Sequence, residues 1–417
     1  MVSFADLRDT EPALWKAAAD DWVKLAEEAE QSANDIYDQG TSALNEHWTD
    51  EVGERAGQKL KDLANSYQVA AATIRGAVFT LDGLAESVET IQRSLESAVD
   101  YAGRYGLVVG ADGHVSQQPG VQCDEDEPKI GQANQLIREA VESANKIDDE
   151  ACAELDKLAA AVGNTDLDKA LDEIQQAASE NQLQLMREAL PIGKDPATVA
   201  AWWNSLTPQQ QAEFERAVPV DLYDLNGIPD DVKKRMEGSD GYNRIEMIRW
   251  AQQNVDNSDI DIFDNNCANF VSNSLEHAGL DQKMDFWAGT LSDDSWGHGA
   301  QTGWDWWDAH DYSHSASWAQ ADSQRNFFLE HGGQEIPAGK AQPGDVIYWE
   351  QAGPNGPTDP GKVHHEAVVT SVTPDGNIHY TQHSSSRLNA SLDGRLPANE
   401  VHEGDQRVVV VRPKQTW

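Results

Sequence analysis

The stretch Asp264-Asn265-Asn266-Cys267-Ala268-Asn269-Phe270-Val271-Ser272-Asn273-Ser274-Leu275 sets one cysteine at the start of an amphipathic helix. A polar, loop-forming run precedes the cysteine, and a buried stripe is expected after it, formed by Phe270, Val271, Ser274 and Leu275. In the first turn of a helix the N–H groups are unpaired and the dipole is positive, which stabilises a thiolate and lowers the pKa of its thiol. We therefore expect Cys267 to be a nucleophile or, as is common for free cysteines, a buried structural residue. The spacing alone leaves both interpretations open.

The composition excludes several classes of partner. A chain of 417 residues predicts two or three domains. Its 31 Lys and Arg against 72 Asp and Glu give a formal net charge of −41, which argues against nucleic acid and anionic membranes as partners. No segment approaches the roughly 20 apolar residues of a membrane span. The first thirty residues are acidic and lack an apolar core, so we expect no ordinary signal peptide. The protein either stays inside the cell or leaves by a route that recognises folded helices.

The three cysteines are Cys123, Cys152 and Cys267. Cys123 and Cys152 flank one acidic stretch, and they either form a disulfide in an oxidising compartment or are two free thiols. Cys267 is left over in both cases, and an odd cysteine beside a plausible pair is a modest sign of reactivity.

Two long helices are predicted at the amino terminus. Apolar residues three and four apart predict one helix over 11–46, with a seam that includes Trp15, Trp22 and Leu25. The pattern breaks around 48–53 and then resumes from Leu60 to Ala98. So regular a seam predicts two helices packed as a hairpin.

This hairpin resembles the WXG-type small secreted helical proteins and the amino-terminal modules of type VII secretion substrates, over roughly residues 1–100. The resemblance implies export through the type VII machinery, without a classical signal peptide. Two features depart from the family. The turn is Trp48-Thr49-Asp50, with glycine only at Gly53, and the trailing export signal of the family does not follow the hairpin. Its one match, Tyr242 to Glu246, lies far downstream.

Four regions follow from these patterns and from shifts in composition. Residues 1–120 are the WXG-like hairpin with a small β-hairpin and an Asp-Gly turn near its end, and 121–190 are a further helical pair. Residues 191–236 are a connector or docking module, in which Thr207-Pro208-Gln209-Gln210 starts a helix. Residues 237–417 carry strands predicted at 345–349, 366–372, 378–382 and 407–411. Helices precede these strands and none clearly separates them, so the fold class is α+β with an antiparallel sheet.

A cysteine hydrolase needs a base beside the sulfur and a third group that orients the base. His364 and His365 open a predicted strand, where alternation sends them to opposite faces, and His383 ends the next strand. In an antiparallel sheet the end of one strand lies beside the start of its neighbour, so the strand predicted at 378–382 is expected to bring a side chain from its end close to His365.

Residues 240–415 resemble the amidase domains related to NlpC-type and CHAP cysteine peptidases, which are papain-like. Six segments match in the family's order: Tyr242-Asn243-Arg244, Asn266 to Ser272, Ser315 to Trp318, Pro343 to Trp349, His365 to Thr370, and Thr381 to Ser384. Carried over by position, the resemblance implies that Cys267 is the nucleophile, His365 the base and His383 the orienting residue.

Several alternatives remain open for these roles. His364 is the base if the strand slips by one residue, since a slip exchanges the faces. Asn389 or Gln382 are alternatives for the third position. Asn265 or Asn266, together with the backbone N–H of Cys267, would supply an oxyanion hole, or the asparagines simply cap the helix. Asp345 is expected to stabilise a turn.

Two further clusters surround the cysteine. Six tryptophans either line a cleft, where they stack on substrate, or pin a long loop, and Trp318 is expected to be structural: Trp287, Trp296, Trp304, Trp306, Trp307 and Trp318. Four aspartates resemble the calcium-binding run of some CHAP domains: Asp256, Asp259, Asp261 and Asp264. They lack the EF-hand pattern, so we expect a solvated loop whose carboxylates oppose thiolate formation. No cofactor or metal is expected, because cysteine catalysis needs none and zinc-ligand spacing is absent.

The sequence therefore predicts a secreted bacterial cysteine amidase or endopeptidase that acts through Cys267 and His365. The resemblance implies peptidoglycan or a peptide as the substrate, with the secretion machinery and an immunity protein as further partners. A protein-modifying toxin that uses the same pair for deamidation or acyl transfer is the alternative enzyme. A non-catalytic interaction protein, whose long helices and papain-like domain only bind, is the alternative from a different class.

Overall fold

The computed structural model describes residues 2–41, 48–118, 127–161, 174, 183–263, 265–285, 289–299, 314–353, 358–374, 376–384, 386–392 and 406–417. These residues form two compact units, one covering Met1–Gln211 and one beginning at Ala212. The finer division into four regions, made from the sequence, remains a prediction.

The first unit is helical. Its elements are α1 (Phe4–Asp9), α2 (Pro12–Asp35), a π-helical segment (Ile36–Thr41), α3 (Glu51–Arg104), a hairpin of β1 (Leu107–Val109) and β2 (Val115–Gln117), α4 (Glu127–Ala161) and α5 (Pro196–Ser205). Helices α2 and α3 are antiparallel, since Lys16 near the start of α2 pairs with Glu89 and Glu30 near its end pairs with Arg75. The predicted helical hairpin is therefore confirmed.

The seam of this hairpin differs from the predicted one. The buried positions of α2 include Ala19, Ala26 and Ala33, which recur every seven residues, whereas Trp22 and Leu25 are 43% and 53% exposed. The prediction that Trp22 and Leu25 form the seam is wrong, because small alanine side chains let two helix backbones approach closely.

The start of α3 explains why a glycine stands at position 53. Asp50 caps this helix by accepting from the N–H groups of Val52 and Gly53 at 3.0 and 2.9 Å. A Cβ at Gly53 would lie 2.1 Å from the carbonyl oxygen of Trp48. The backbone of the preceding turn therefore occupies the space that any other side chain would need.

The second unit is an α+β domain, which confirms the predicted class. Its helices are α6 (Pro208–Ala217, which begins just before this unit), α7 (Pro219–Asp224), α8 (Asp230–Glu237), α9 (Arg244–Gln253), α10 (Cys267–His277), α11 (Ala316–Ala319) and α12 (Ala321–Glu330). Its strands are β3 (Gln334–Ile336), β4 (Val346–Gln351), β5 (Val363–Val372), β6 (Ile378–Gln382), β7 (Arg387–Ser391) and β8 (Gln406–Arg412). They form one sheet in the order β3-β8-β4-β5-β6-β7, and every neighbouring pair is antiparallel.

The sheet has a core on each face. Helix α10 packs against one face through Phe270, Val271 and Leu275, which share a core with Tyr348 and Val368. Side chains at the alternate positions form the second core, with Trp349, Ala367 and Tyr380 among them. The central strands are therefore buried on both sides, which explains their continuous apolar character.

A turn before β4 joins the beginning and the end of this unit. The hydroxyl of Tyr242 donates to the carbonyl oxygen of Gly344 at 2.9 Å. The buried carboxylate of Asp345 accepts from the backbone N–H of Gln342 at 2.8 Å and from the Arg412 guanidinium at 2.7 and 2.9 Å. The prediction that Asp345 stabilises a turn is confirmed. In the described residues, no helix combines the length and the apolar character that crossing a bilayer requires.

Candidate active site

Cys267 is the first residue of α10 and is only 5% exposed. Its backbone N–H donates to Oδ1 of Asn265 at 3.4 Å. The side chain of Asn266 folds back on the preceding loop, where its Oδ1 accepts from the N–H groups of Ile262 and Phe263 at 2.8 and 3.1 Å. Asn266 therefore organises the approach to the helix, and its amide also donates to the Phe263 carbonyl.

The sulfur lies in a buried environment that opposes its ionisation. Burial raises the pKa of Cys267 to about 12, and the nearby carboxylate of Glu366 acts in the same direction. The backbone N–H groups of Glu366, Ala268 and Cys267 interact with the sulfur and lower the pKa, but by less than burial raises it. The prediction that the helix start lowers this pKa is therefore wrong, because desolvation outweighs the dipole. Cys267 is a neutral thiol at neutral pH.

The contact with the Glu366 N–H also locates the sulfur relative to the sheet. This N–H belongs to the peptide group that joins His365 to Glu366, and α10 packs against β5. The sulfur of Cys267 therefore lies against the backbone of the predicted base.

Glu366 is the residue of this site that the sequence analysis missed. It lies directly opposite Tyr348 in the β4–β5 ladder and is completely buried. Within the described residues, neither of its carboxyl oxygens has a hydrogen-bond partner, and the Tyr348 hydroxyl donates to Gln324 Oε1 at 2.9 Å. Burial therefore raises the pKa of Glu366 well above its usual range, and the proximity of the Tyr348 side chain offsets this only in part. The sequence signal that could have identified Glu366 is its place as a glutamate within a run of apolar strand residues.

Replacing Glu366 by glutamine should change how stability depends on pH. A carboxyl group whose folded pKa is raised stabilises the fold below its unfolded pKa, and this contribution is lost as the pH rises towards the folded value. Above about pH 4.5, the free energy of unfolding of Glu366→Gln should therefore rise relative to that of the natural protein by up to about 1.4 kcal/mol per pH unit. Urea unfolding between pH 4 and pH 8 measures the difference.

The control for this experiment is Glu335→Gln, because Glu335 is exposed on the short strand β3. The difference in free energy of unfolding between Glu335→Gln and the natural protein should stay nearly constant over the same pH range. A flat difference for Glu366→Gln as well would contradict a raised pKa for Glu366.

His365 lies where β5 carries an extra residue. Trp349 pairs with His365 but Glu350 pairs with Val363, so His364 forms a bulge in the ladder. His365 consequently faces Trp349, with ring centroids 5.1 Å apart. Its Nε2 is 2.9 Å from Oε1 of Gln382, the last residue of β6. An amide oxygen only accepts, so Nε2 carries the proton of the neutral ring and Nδ1 carries the lone pair.

His383 belongs to a different set of contacts. Its Nδ1 is 2.7 Å from the carbonyl oxygen of Val255, and its Nε2 is 2.7 Å from Oδ1 of Asp261. The ring is buried and stacks on Phe270, with centroids 5.5 Å apart. Both ring nitrogens therefore lie within hydrogen-bond distance of an oxygen acceptor. His383 thus ties the loop before Cys267 to the end of β6, and the structure brings Gln382, not His383, to His365.

The other candidates for the third position have contacts of their own. Asn389 lies on β7, where its Oδ1 accepts from Thr370 Oγ1 at 2.7 Å and from Gln252 Nε2 at 3.1 Å. His364 occupies the bulge beside His365. A hydrogen bond fixes where a side chain lies and not whether it takes part in catalysis, so the roles of Cys267, His365 and His383 stay predictions.

Some of the remaining candidates from the sequence lie among the residues that the structure describes, and others lie outside them. Trp296 and Trp318 are fully buried, and the Trp318 indole donates to Asn269 Oδ1 at 2.9 Å, which confirms that Trp318 is structural. Cys152 is an exposed free thiol. Several predicted residues lie outside the described ones: Cys123, Asp264, Trp287, Trp304, Trp306 and Trp307. In the described part of the chain, no group of three His, Cys, Asp or Glu side chains is arranged to hold a metal ion.

The second unit is thus an α+β domain whose helix-start cysteine lies against a strand that carries a histidine. Residues 241–405 match the family model described as "Putative amidase domain". This match supports an amidase-like domain in this part of the chain and suggests a hydrolase that acts on amides. No curated protein and no solved structure matches the chain.

Proposed function

We propose that the protein is a cysteine-dependent amide hydrolase in which Cys267 is the nucleophile and His365 is the base. The observation that carries this proposal is the position of the sulfur against the His365–Glu366 peptide, on a helix that packs on β5. The hydrogen bond between His365 and Gln382 leaves Nδ1 as the ring nitrogen that can accept a proton. The ring lies with Trp349 on the face of β5 opposite α10, so the proposal requires it to turn around the bulge at His364 towards the sulfur.

The raised pKa of Cys267 determines how the reaction begins. A neutral thiol is a weak nucleophile, so its proton passes to Nδ1 of His365 as the sulfur attacks the amide carbonyl carbon. The imidazolium then gives the proton to the leaving nitrogen, the C–N bond breaks, and an amine departs from a thioester. Water attacks the thioester with His365 as the base, which releases the carboxylic acid and restores the thiol.

Gln382 is the residue that holds the imidazole of His365 in this structure, and we propose it as the orienting residue, with His383, which stacks on Phe270 of α10, as the rival from the sequence. Gln382→Ala should lower kcat about 10- to 100-fold, a part of the 10²- to 10⁴-fold that general base catalysis contributes. His383→Asn should instead lower stability, because Val255 and Asp261 lose a shared donor. Initial rates and urea unfolding of both variants separate these effects. A fall in kcat for His383→Asn at unchanged stability, with an active Gln382→Ala, would assign the role to His383.

We further propose peptidoglycan as the substrate and a secreted location, with export through a type VII route. The support is the similarity of the six segments in 240–415 to NlpC-type and CHAP cysteine peptidases, and that of the helical hairpin to WXG-type proteins. A cognate immunity protein and the secretion machinery are the partners that this proposal implies.

Cell-wall sacculi test the substrate. Full-length protein is incubated with sacculi, and the soluble fragments are identified by mass spectrometry together with the new amine and carboxyl ends. The proposal expects cleavage at an amide bond, blocked by prior alkylation of Cys267. The competing assay measures ammonia released from glutamine side chains of a denatured protein substrate. Ammonia release without muropeptides would favour the protein-modifying alternative, and neither product would favour a binding protein.

A further inference from the structure

A second concave site lies in the amidase-like unit, away from Cys267. It is an open cavity of roughly 310 Å³ lined by residues of α6, α7, α8, α9 and the turn before β4. The turn leads into β4 at Val346, the first residue of that strand, whereas His365 pairs with Trp349 near the end of the same strand. The cavity is therefore separate from the candidate active site, and its volume is within the range of small-ligand sites.

Three arginines line this cavity, which is unusual in a chain with a net charge of −41. Two of them are compensated. Arg235 donates twice to the carboxylate of Glu215, at 3.1 and 2.5 Å. Arg244 donates to Asp240 at 2.6 Å and to the side chain of Gln342. The positive charge of these two side chains is therefore largely neutralised within the protein.

Arg216 is the uncompensated arginine. It lies in the last turn of α6, where the negative end of the helix dipole favours a cation. Throughout the described residues, its guanidinium forms neither a hydrogen bond nor an ion pair, and its Nε is buried without an acceptor. The Nε of Arg244 is likewise buried and has no acceptor among the described residues. Burying donors without partners is unfavourable, so a bound acceptor would stabilise them.

The position of Arg244 is built into the backbone. A Cβ at Gly238 would lie 2.9 Å from its Nε, and a Cβ at Gly344 would lie 2.9 Å from its Cβ. Both glycines have φ in the left-handed region, at +83° and +89°. Two turns therefore hold the stem of this arginine at the edge of the cavity.

The rest of the lining is apolar. Met236, Ile245 and Ile248 are buried members of α8 and α9 that contribute to its wall. A ligand that fits must therefore carry an aliphatic group together with an anionic one. One uncompensated guanidinium matches a monoanion, and its planar fork matches a carboxylate.

We propose that this cavity binds the carboxylate of a small ligand with an aliphatic group, such as the C-terminal residue of a peptide. The carboxylate accepts from the guanidinium of Arg216, and the aliphatic group packs against Met236, Ile245 and Ile248. The site is distinct from Cys267, and binding does not require turnover.

Titration calorimetry of the full-length protein with N-acetyl-leucine tests this proposal. We expect an affinity on the order of 1 mM, as is typical of so small a ligand. Arg216→Gln should weaken binding at least about tenfold, because the uncompensated charge is removed. Arg249→Gln is the matched control, since Arg249 lies on the adjoining helix but pairs with Asp224 at 2.7 Å outside the cavity. Its affinity should equal that of the natural protein.

Two further ligands test the proposal on the natural protein alone. N-acetyl-leucinamide, which has the same aliphatic group and no charge, should not bind, and methyl phosphate should bind more weakly than N-acetyl-leucine. Equal binding of the amide, binding of methyl phosphate alone, or unchanged affinity in Arg216→Gln would each overturn the proposal. Thermal unfolding of Arg216→Gln confirms that the variant is folded.

Discussion

Cys267→Ala is expected to lower the rate of amide hydrolysis by at least about 10⁴-fold, since removal of a nucleophile from such a constellation abolishes its covalent step. The fold should remain, because alanine fits the first turn of α10, and the contacts of Asn265 and Asn266 hold the approach to that turn without the sulfur. Initial rates with the natural protein and the variant, at matched concentration, measure the effect. Far-ultraviolet circular dichroism checks the fold.

Cys152→Ser is the control for this experiment. Cys152 is the other described cysteine, and it is an exposed free thiol on α4, in the first unit. Its replacement should leave the rate within about twofold of the natural one, as for most surface substitutions. Amide hydrolysis that survives in Cys267→Ala would contradict the assigned nucleophile, whatever the substrate is.

His365→Ala is the second large effect, and it should lower kcat by about 10²- to 10⁴-fold, the usual contribution of a general base. The loss should be large here because burial raises the pKa of Cys267 to about 12, so the thiol depends on a base to release its proton. The kcat of each variant, measured from pH 5 to pH 9, gives the result. In the natural protein, we expect a limb of the pH profile that reports the imidazole, and this limb should be absent in His365→Ala.

His364→Ala separates the two histidines of the bulge. His364 is the extra residue of β5 at this point, whereas His365 faces Trp349 and bonds Gln382. We expect kcat of His364→Ala to fall less than about tenfold, well below the full contribution of a general base. A larger fall in His364→Ala than in His365→Ala would mean that the register alternative is correct.

Local patterns were sufficient to predict most of the fold. The three-four spacing predicted the long helical hairpin, and the alternating and continuous apolar runs predicted β4, β5, β6 and β8 close to their observed limits. The short edge strand β3 and the strand β7 were missed. In β7, Asn389 adopts a positive φ of 52°, and neither strand has an apolar pattern that marks it. Pattern alone cannot reveal strands that pairing with neighbours defines.

The sequence predicted less about the electrostatics of the site. It identified the start of a helix at Cys267, and the dipole argument led from there to a lowered pKa. Whether a thiolate forms depends on how deeply the sulfur is buried and on which carboxylate lies beside it. The packing of α10 on β5 determines both, and it places Glu366 near the sulfur.

The α+β class, the helix that begins at Cys267 and the strands that carry the histidines could be predicted from the sequence, because local periodicity and capping act over a few residues. Only the tertiary structure assigned partners to those histidines. The bulge at His364 turns His365 towards Gln382, and the chain reversal after β6 directs His383 to Asp261. Contacts between residues more than a hundred positions apart also bring Val255 and Asp261 to His383. Such contacts depend on sheet register and packing, which one residue of slip would change and which no local pattern encodes.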